Sequence, residues 1–421
     1  MTRMFVKLLS KLFFIPELIS DLSLPIRRLF FLDYTKRFLR ALYWLLRYGY
    51  PSRKLKLIGV TGTDGKTTVT NLVYQILVMA GKKVSVVSTI FGKIGNQIFD
   101  SGFHVTTPSP ASLQKYFSQA LREESEYFVI EASSHGLDQY RLLGCEFEVG
   151  ILTNITPEHT DYHQNFHNYL IAKSKLFQKS KISILNFDDK FFNQIKKFAN
   201  KVITYGFSKN ANVNLSYKFN SKLPGDYNKY NILAAIACTR ALGINDKTIL
   251  RAVASFEGLS GRMEEVKNNR GVRIIIDFAH TPNGLEQVLK TLRKSCKGKL
   301  IAIIGAEGKR DVVKRPLLGN IAQKLSDLVV VTAVDPRGDL KEINQQIISG
   351  AKGAGGKLDS NLFVIDERAE AINYAINKLA KKDDTVGIFG KGHEKSINLD
   401  DKKEIPWSDV EVVKEVLRHG K

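Results

Sequence analysis

From Leu55 onward, short apolar runs rich in β-branched residues alternate with stretches of helical period. LKLIGV precedes a helix opening at Lys66; VSVVST, YFVIEA and EVGILTN follow, the last leading to a helix that carries Lys173. This alternation predicts an α/β unit with a largely parallel sheet. After a helical stretch at 231–242 and a turn at 258–261, the alternation restarts with RIIIDFA, LIAIIGA, DLVVVTA, NLFVIDE and TVGIFG, a second, Rossmann-like α/β unit. GLSGRM interrupts the two periodic regions, so the boundary is set at Leu259, giving segments 1–55, 56–258 and 259–421. Ligands of doubly wound sheets sit beyond the carboxyl ends of the strands, which makes the residues there the candidates for function.

The first 55 residues follow another pattern. Lys7, Lys11, Glu17, Asp21, Arg27 and Arg28 interrupt every apolar run before it reaches the ~18 residues of a spanning helix. No small-residue cleavage site follows, which argues against a secretory signal. On a helical projection Phe38, Leu39, Leu42, Leu45 and Leu46 share one face and Lys36, Arg37, Arg40 and Arg47 the opposite one, with Tyr43 and Trp44 at the borders. Such a basic amphipathic helix either lies on an anionic bilayer or packs on the body of its own protein. Pro16, Pro25 and Pro51 punctuate the segment into two or three short helices and a linker ending near Lys56.

Composition narrows the class. The 421 residues are 43% hydrophobic and 25% charged, an ordinary globular usage that excludes a disordered or collagen-like chain. The net charge is +21, and residues 1–56 hold 12 basic against 3 acidic side chains, so the excess is concentrated at one end. No nucleic-acid-binding motif accompanies it, and a nucleic-acid partner is not expected. Cys145, Cys238 and Cys296 lie far apart with no C-x-x-C pair, the usage of a reducing compartment, and the cytoplasm is the expected location.

GVTGTDGKTT follows an apolar strand and opens a helix, the context in which backbone amides cradle phosphate oxygens. Gly62, Thr63, Asp64 and Gly65 form the loop, Lys66 faces the β- and γ-phosphates, and Thr67, followed by Thr68, offers a hydroxyl to Mg²⁺. A strict Walker A has glycine where Val60 stands. The shifted pattern T-G-T-x-G-K-T resembles the Mur ligase family, ATP-dependent amide ligases of peptidoglycan precursor synthesis. Folylpolyglutamate synthetases share the loop but usually carry Gly-Ser after the lysine, whereas Thr67 and Thr68 fit the Mur side.

The resemblance runs from about Leu55 to the C-terminus and sharpens into the MurE type. It rests on Thr106-Thr107-Pro108 and on Glu131, Ser133, Ser134, His135, Gly136, Leu137, Gln139 and Arg141 of the E-x-S-S-H-G-L-x-Q-x-R signature. It implies that Thr106, Thr107, Ser133, Gln139 and Arg141 meet the muramoyl-peptide and that Glu131 and His159 serve two Mg²⁺ ions. Lys173 matches the lysine that the family carbamylates, turning an amine into a carboxylate on a long stem. Asn231, with Asn228 the weaker candidate, together with Arg262 and Asp277 resembles the nucleotide-side contacts. Arg310, Gly390 and Glu394 fall at positions that bind the incoming diamino acid.

Two departures stand out. The family's D-N-P-R or D-D-P-R reads Val334, Asp335, Pro336 and Arg337, which keeps the arginine and replaces an acid with valine. The uridine-binding domain that normally opens such chains is not recognisable in residues 1–55. The resemblance therefore implies an ATP- and Mg²⁺-dependent ligase with muramoyl-peptide and amino-acid substrates, and peripheral membrane contact through residues 1–55 as an open reading. The alternatives are a ligase acting on another acidic acceptor and an ATP-binding scaffold at the membrane that has lost ligation.

Overall fold

In the computed structural model, residues 24–100 and 106–419 are described, with backbone alone for residues 24–32 and Thr160. Lys7, Lys11, Pro16, Glu17 and Asp21 lie outside the described residues. Helix α1 (Leu24–Arg47) runs unbroken, with Pro25 in its first turn, where its missing N–H costs nothing. A short 3₁₀ turn, Pro51–Lys54, then leads into the first strand. Within the described residues the segment is thus one long helix rather than several short ones.

Eight strands form the first sheet: β1 (Lys56–Thr61), β2 (Val84–Val87), β3 (Gly92–Ile94), β4 (Gln97–Phe99), β5 (Tyr127–Glu131), β6 (Phe147–Leu152), β7 (Ser180–Asn186) and β8 (Lys201–Tyr205). Their order is β4-β3-β2-β5-β1-β6-β7-β8, parallel except for the β2-β3-β4 edge. Parallel strands are covered on both faces, which explains their near-continuous apolar runs. Ile58 and Val60 of β1 face helices α2 (Lys66–Met79) and Asp226–Ala241, while Leu57 faces the opposite core with Phe117 and Phe177. The second sheet holds β9 (Glu264–Val266), β10 (Arg273–Asp277), β11 (Leu300–Ile304), β12 (Leu328–Val331), β13 (Leu362–Val364) and β14 (Thr385–Phe389). Its order is β13-β12-β11-β14-β10-β9, with only β9 antiparallel. A small hairpin pairs β15 (Ser396–Asn398) with β16 (Glu404–Pro406).

Helix α1 is two-faced in a way the helical projection misses. Ala41 and Leu45 are buried and Phe38 is half-buried against the body; Leu45 packs where a Cβ on Gly144 would fall. Leu39, Tyr43 and Leu46 instead face outward at 55%, 58% and 59% exposure, beside exposed Lys36, Arg40 and Arg47. Arg37, assigned by projection to the solvent face, turns inward to Tyr162. The helical projection centres on the leucines, whereas the packed line is Tyr34, Phe38, Ala41 and Leu45, aromatic at its start. No helix among the described residues is long and apolar enough to cross a membrane.

Candidate active site

A cleft of about 680 Å³ opens where the carboxyl ends of both sheets face one another. On the first sheet's side, β1 delivers the chain into the loop 62–65 and helix α2 starts at Lys66. Gly65 has φ +82° and lies against Asn231, so a Cβ there would meet the Asn231 Oδ1; glycine is required for the loop to pass. Gly62, Thr63, Asp64, Gly65, Lys66, Thr67 and Thr68 all line the cleft. The Lys66 ammonium donates to the carbonyls of Gly62 at 3.0 Å and Thr63 at 2.6 Å.

Glu131, at the end of β5, is fully buried. Its carboxylate accepts from the Thr67 hydroxyl at 3.2 Å, the Thr89 amide at 2.7 Å and the Thr89 hydroxyl at 2.9 Å. A carboxylate beside a hydroxyl at a helix N-terminus is a hard oxygen pair of the kind Mg²⁺ takes along with phosphate oxygens. Among the described residues no three His, Cys, Asp or Glu side chains gather into a metal cluster.

Lys173 lies on helix α6, which spans Phe166–Gln178 and follows α3 (Pro110–Arg122), α4 (Ser134–Asp138) and α5 (Thr160–His163). Its side chain is 1% exposed, donates to the Gly62 carbonyl at 2.7 Å and sits 4.5 Å over the Tyr169 ring. Burial first, and the nearby Lys66 charge second, push its amine well below the usual lysine range. Water-exposed lysines stay charged, whereas burial disfavours the charged form of this one. His159 stands close by in the left-handed region at φ +56°, its imidazole also lowered chiefly by burial, with Glu158 opposing the shift.

The acceptor-side candidates divide. Thr106, Ser133 and Arg141 line the cleft, whereas Thr107 and Gln139 stand behind it. The Thr107 hydroxyl donates to the Glu131 carbonyl at 2.9 Å and accepts from the Ser133 amide. Gln139 accepts from the Arg141 guanidinium at 2.7 and 3.1 Å, so both residues hold neighbours that line the cleft. The nucleotide-side candidates Asn231, Arg262 and Asp277 line it together. Asp277 receives the amides of Met263 and Ala279, each at 2.7 Å, and burial raises its carboxyl against the pull of Arg262.

On the facing wall, Arg310, Arg337 and Glu394 reach the cleft while Asp335 and Gly390 do not line it. Asp335 is 1% exposed and bonded to the Lys391 ammonium at 2.9 Å and the Asn398 amide. Val334 is equally buried, and its Cγ2 lies 2.9 Å from where a Cβ on Gly390 would stand. The valine that departs from the family pattern therefore fills the wall behind the site and does not touch the cleft. Arg337→Ala is expected to raise KM for the amino acid at least tenfold while KM for ATP stays within about twofold, because a carboxylate of the amino acid is the partner expected for that guanidinium. Initial-rate kinetics with each substrate varied in turn read the difference, and equal effects on both constants put the amino acid elsewhere.

Residue-by-residue reasoning missed what joins the two sheets. The Asp64 carboxylate accepts from Thr281 and Asn283 of the second unit, each at 2.8 Å. Lys314 is 5% exposed and lies 3.6 Å from Glu158 and 3.5 Å from Glu307. Burial alone would raise the Glu158 carboxyl, but His159, Lys314, His280 and Lys66 outweigh it and bring it down to about 2. The only signal was the Glu-His pair at 158–159, which placed Glu158 beside a candidate that was already marked.

Residues 60–239 match the model described as Mur ligase middle domain, and residues 261–392 that described as Mur ligase, glutamate ligase domain. The UDP-N-acetylmuramoyl-L-alanyl-D-glutamate–2,6-diaminopimelate ligase 1 of Clostridium acetobutylicum is 39% identical over 394 residues, covering 88% of this chain and 80% of its own. The ligase of the same name without the numeral from Aquifex aeolicus is 38% identical over 392 residues, covering 88% and 79%. A solved structure of a protein with that name superposes with a TM-score of 0.58 at 29% identity, over 86% of this chain and 78% of that one. At such identity over most of both chains, the chain belongs to the Mur ligase family of ATP-dependent, amide-forming ligases.

Proposed function

We propose that this ligase adds a diamino acid, with 2,6-diaminopimelate the first candidate, to a UDP-N-acetylmuramoyl-dipeptide. The observation that carries the reading is the meeting in one cleft of the Lys66–Thr67 loop, Glu131 and the buried Lys173 with Arg310, Arg337 and Glu394 on the opposite wall. An acceptor carboxylate oxygen attacks the γ-phosphorus of ATP, the bond to ADP breaks, and an acyl phosphate forms. The amine of the amino acid then attacks the acyl carbon, loses a proton, and phosphate leaves. The chain's part in both steps is positioning and charge neutralisation, by Lys66 and the start of helix α2.

Thr67 and Glu131 would hold Mg²⁺, which supplies Lewis-acid charge neutralisation when bound. A second cation would be served by His159 and Lys173, the lysine as its carbamate. The burial of Lys173 supports this, since it disfavours the ammonium form and only a neutral amine adds to CO₂, releasing a proton as the carbamate forms. Thr106, Ser133 and Arg141 would meet the acceptor directly, with Thr107 and Gln139 behind them. Asn231, Arg262 and Asp277 would hold the nucleotide, and Asp335 and Gly390 would shape the amino-acid wall. The boundary near Leu259 would be the hinge, since all strands of the first sheet end by Tyr205 and those of the second begin at Glu264. The test incubates the protein with ATP, UDP-muramoyl-dipeptide and a panel of amino acids, reading product mass. A diaminopimelate adduct supports the assignment; ATP turnover with a different adduct, or with none, overturns it.

A second proposal concerns location, at the inner face of the plasma membrane. Its support is the outward stripe of α1, where Leu39, Tyr43 and Leu46 are flanked by Lys36, Arg40 and Arg47. Three basic residues near an anionic surface contribute about 3 kcal/mol, on the order of a hundredfold in partitioning, and the effect is screened by salt. Sedimentation with anionic vesicles at low salt is expected to carry the protein down, and neutral vesicles or raised salt to release it. Charge removal at Lys36, Arg40 and Arg47 that leaves sedimentation unchanged counts against this face.

A further inference from the structure

The inward line of α1 ends in a polar knot under the acceptor wall. The Tyr34 hydroxyl donates to Asp138 Oδ2 at 2.6 Å, and the Tyr162 hydroxyl donates to the same oxygen at 3.0 Å. Lys175 donates to Asp138 Oδ1 at 2.7 Å, and the Arg37 guanidinium donates to the Tyr162 hydroxyl at 3.1 Å. The directions are mutually consistent: Tyr162 has one proton, which it gives to Asp138, and a lone pair, which it offers to Arg37. Asp33 holds Arg37 from the other side at 2.7 Å.

The knot touches the cleft from behind at two points. Asp138 closes helix α4, whose earlier residue His135 lines the cleft, and the Tyr162 ring lies against His135 with centroids 4.2 Å apart. Tyr140, in the left-handed region at φ +57°, is flanked edge-on by the rings of Tyr34 and Phe38 and immediately precedes Arg141. A non-glycine residue in that conformation is strained and persists only where its surroundings over-determine it. The two α1 aromatics are part of those surroundings.

We infer that Tyr34 and Arg37 are positioning residues for acceptor binding, acting through Asp138 and Tyr162 on the orientation of His135 and Arg141. The inference rests on the reading above that the 133–141 segment meets the muramoyl-peptide. Through contacts at Asp138, Tyr140 and Tyr162, each more than a hundred residues along the chain from its partner in α1, the helix thus sets the geometry of the acceptor wall.

Kinetics of the full chain test this. Tyr34→Phe removes one hydroxyl and keeps the ring against Tyr140; Arg37→Ala removes the donor to Tyr162. Each is expected to raise KM for the acceptor about fivefold to tenfold, with KM for ATP and for the amino acid within twofold. Arg37→Lys, which retains a donor for the Tyr162 hydroxyl, is expected to recover most of what Arg37→Ala loses. A lowered unfolding temperature with all three KM values unchanged, or a parallel rise in all three, overturns the inference. Arg141→Ala separates the two levels: if it raises acceptor KM and the α1 variants do not, only the positioning role fails. If Arg141→Ala leaves acceptor KM unchanged in a protein that still makes product, the acceptor reading of the segment fails and the inference with it.

Discussion

Lys173→Ala is expected to lower ligase turnover on the order of a thousandfold, the scale seen when one preorganised charge-stabilising group is removed from a transition state. Added formate or acetate at tens of millimolar is expected to restore part of it. The lysine is buried beside Gly62 and Tyr169, so its truncation leaves a pocket against the phosphate loop that a small carboxylate fits. A diffusing acid then supplies the oxygens that a carbamate would have carried on the lysine stem. Steady-state phosphate release, with and without acid, reads both effects. Full activity of Lys173→Ala without additive would make the residue an ordinary packed lysine, and a thousandfold loss that no acid relieves would leave its amine, not a carbamate, as the active group.

Some of this site is legible along the chain and some is not, for physical reasons. β1, β5 and β14 are buried along nearly their whole length, so their composition alone separates them from the helices around them. The phosphate loop is local too, since its glycines and Lys66 are consecutive. The β3-β4 edge is different: GKI and QIF are three residues each, and nothing in so short a run distinguishes a strand from a turn. Arg37 is read as solvent-facing because periodicity counts charges as outside, and only its partner elsewhere, Tyr162, brings it inward. Val334 illustrates the converse. A substitution at a motif position suggests altered chemistry, yet the side chain there points into the wall against Gly305 and Gly390. Motif spacing marks which residues are near the site and leaves open which of their atoms reach it.

Lys66→Ala is expected to abolish nucleotide turnover, a fall on the order of a thousandfold or more, while leaving the fold intact. The ammonium spans the Gly62 and Thr63 carbonyls at the start of helix α2 and packs into no apolar core, so its loss leaves the cores of both sheets untouched. What it removes is the point charge that faces the phosphates being separated. Lys66 also helps to depress the Lys173 amine, and its loss removes that contribution. Burial is the larger cause and remains, so Lys173 stays below the usual range in the variant. The two lysines are therefore separable by experiment: added carboxylate rescues Lys173→Ala and does nothing for Lys66→Ala, which has lost a cation. Phosphate release, thermal unfolding and calorimetric binding of a non-hydrolysable ATP analogue together decide the matter. Wild-type phosphate release by Lys66→Ala would remove the loop from the nucleotide site, and rescue of it by acetate would show that its charge acts only through Lys173.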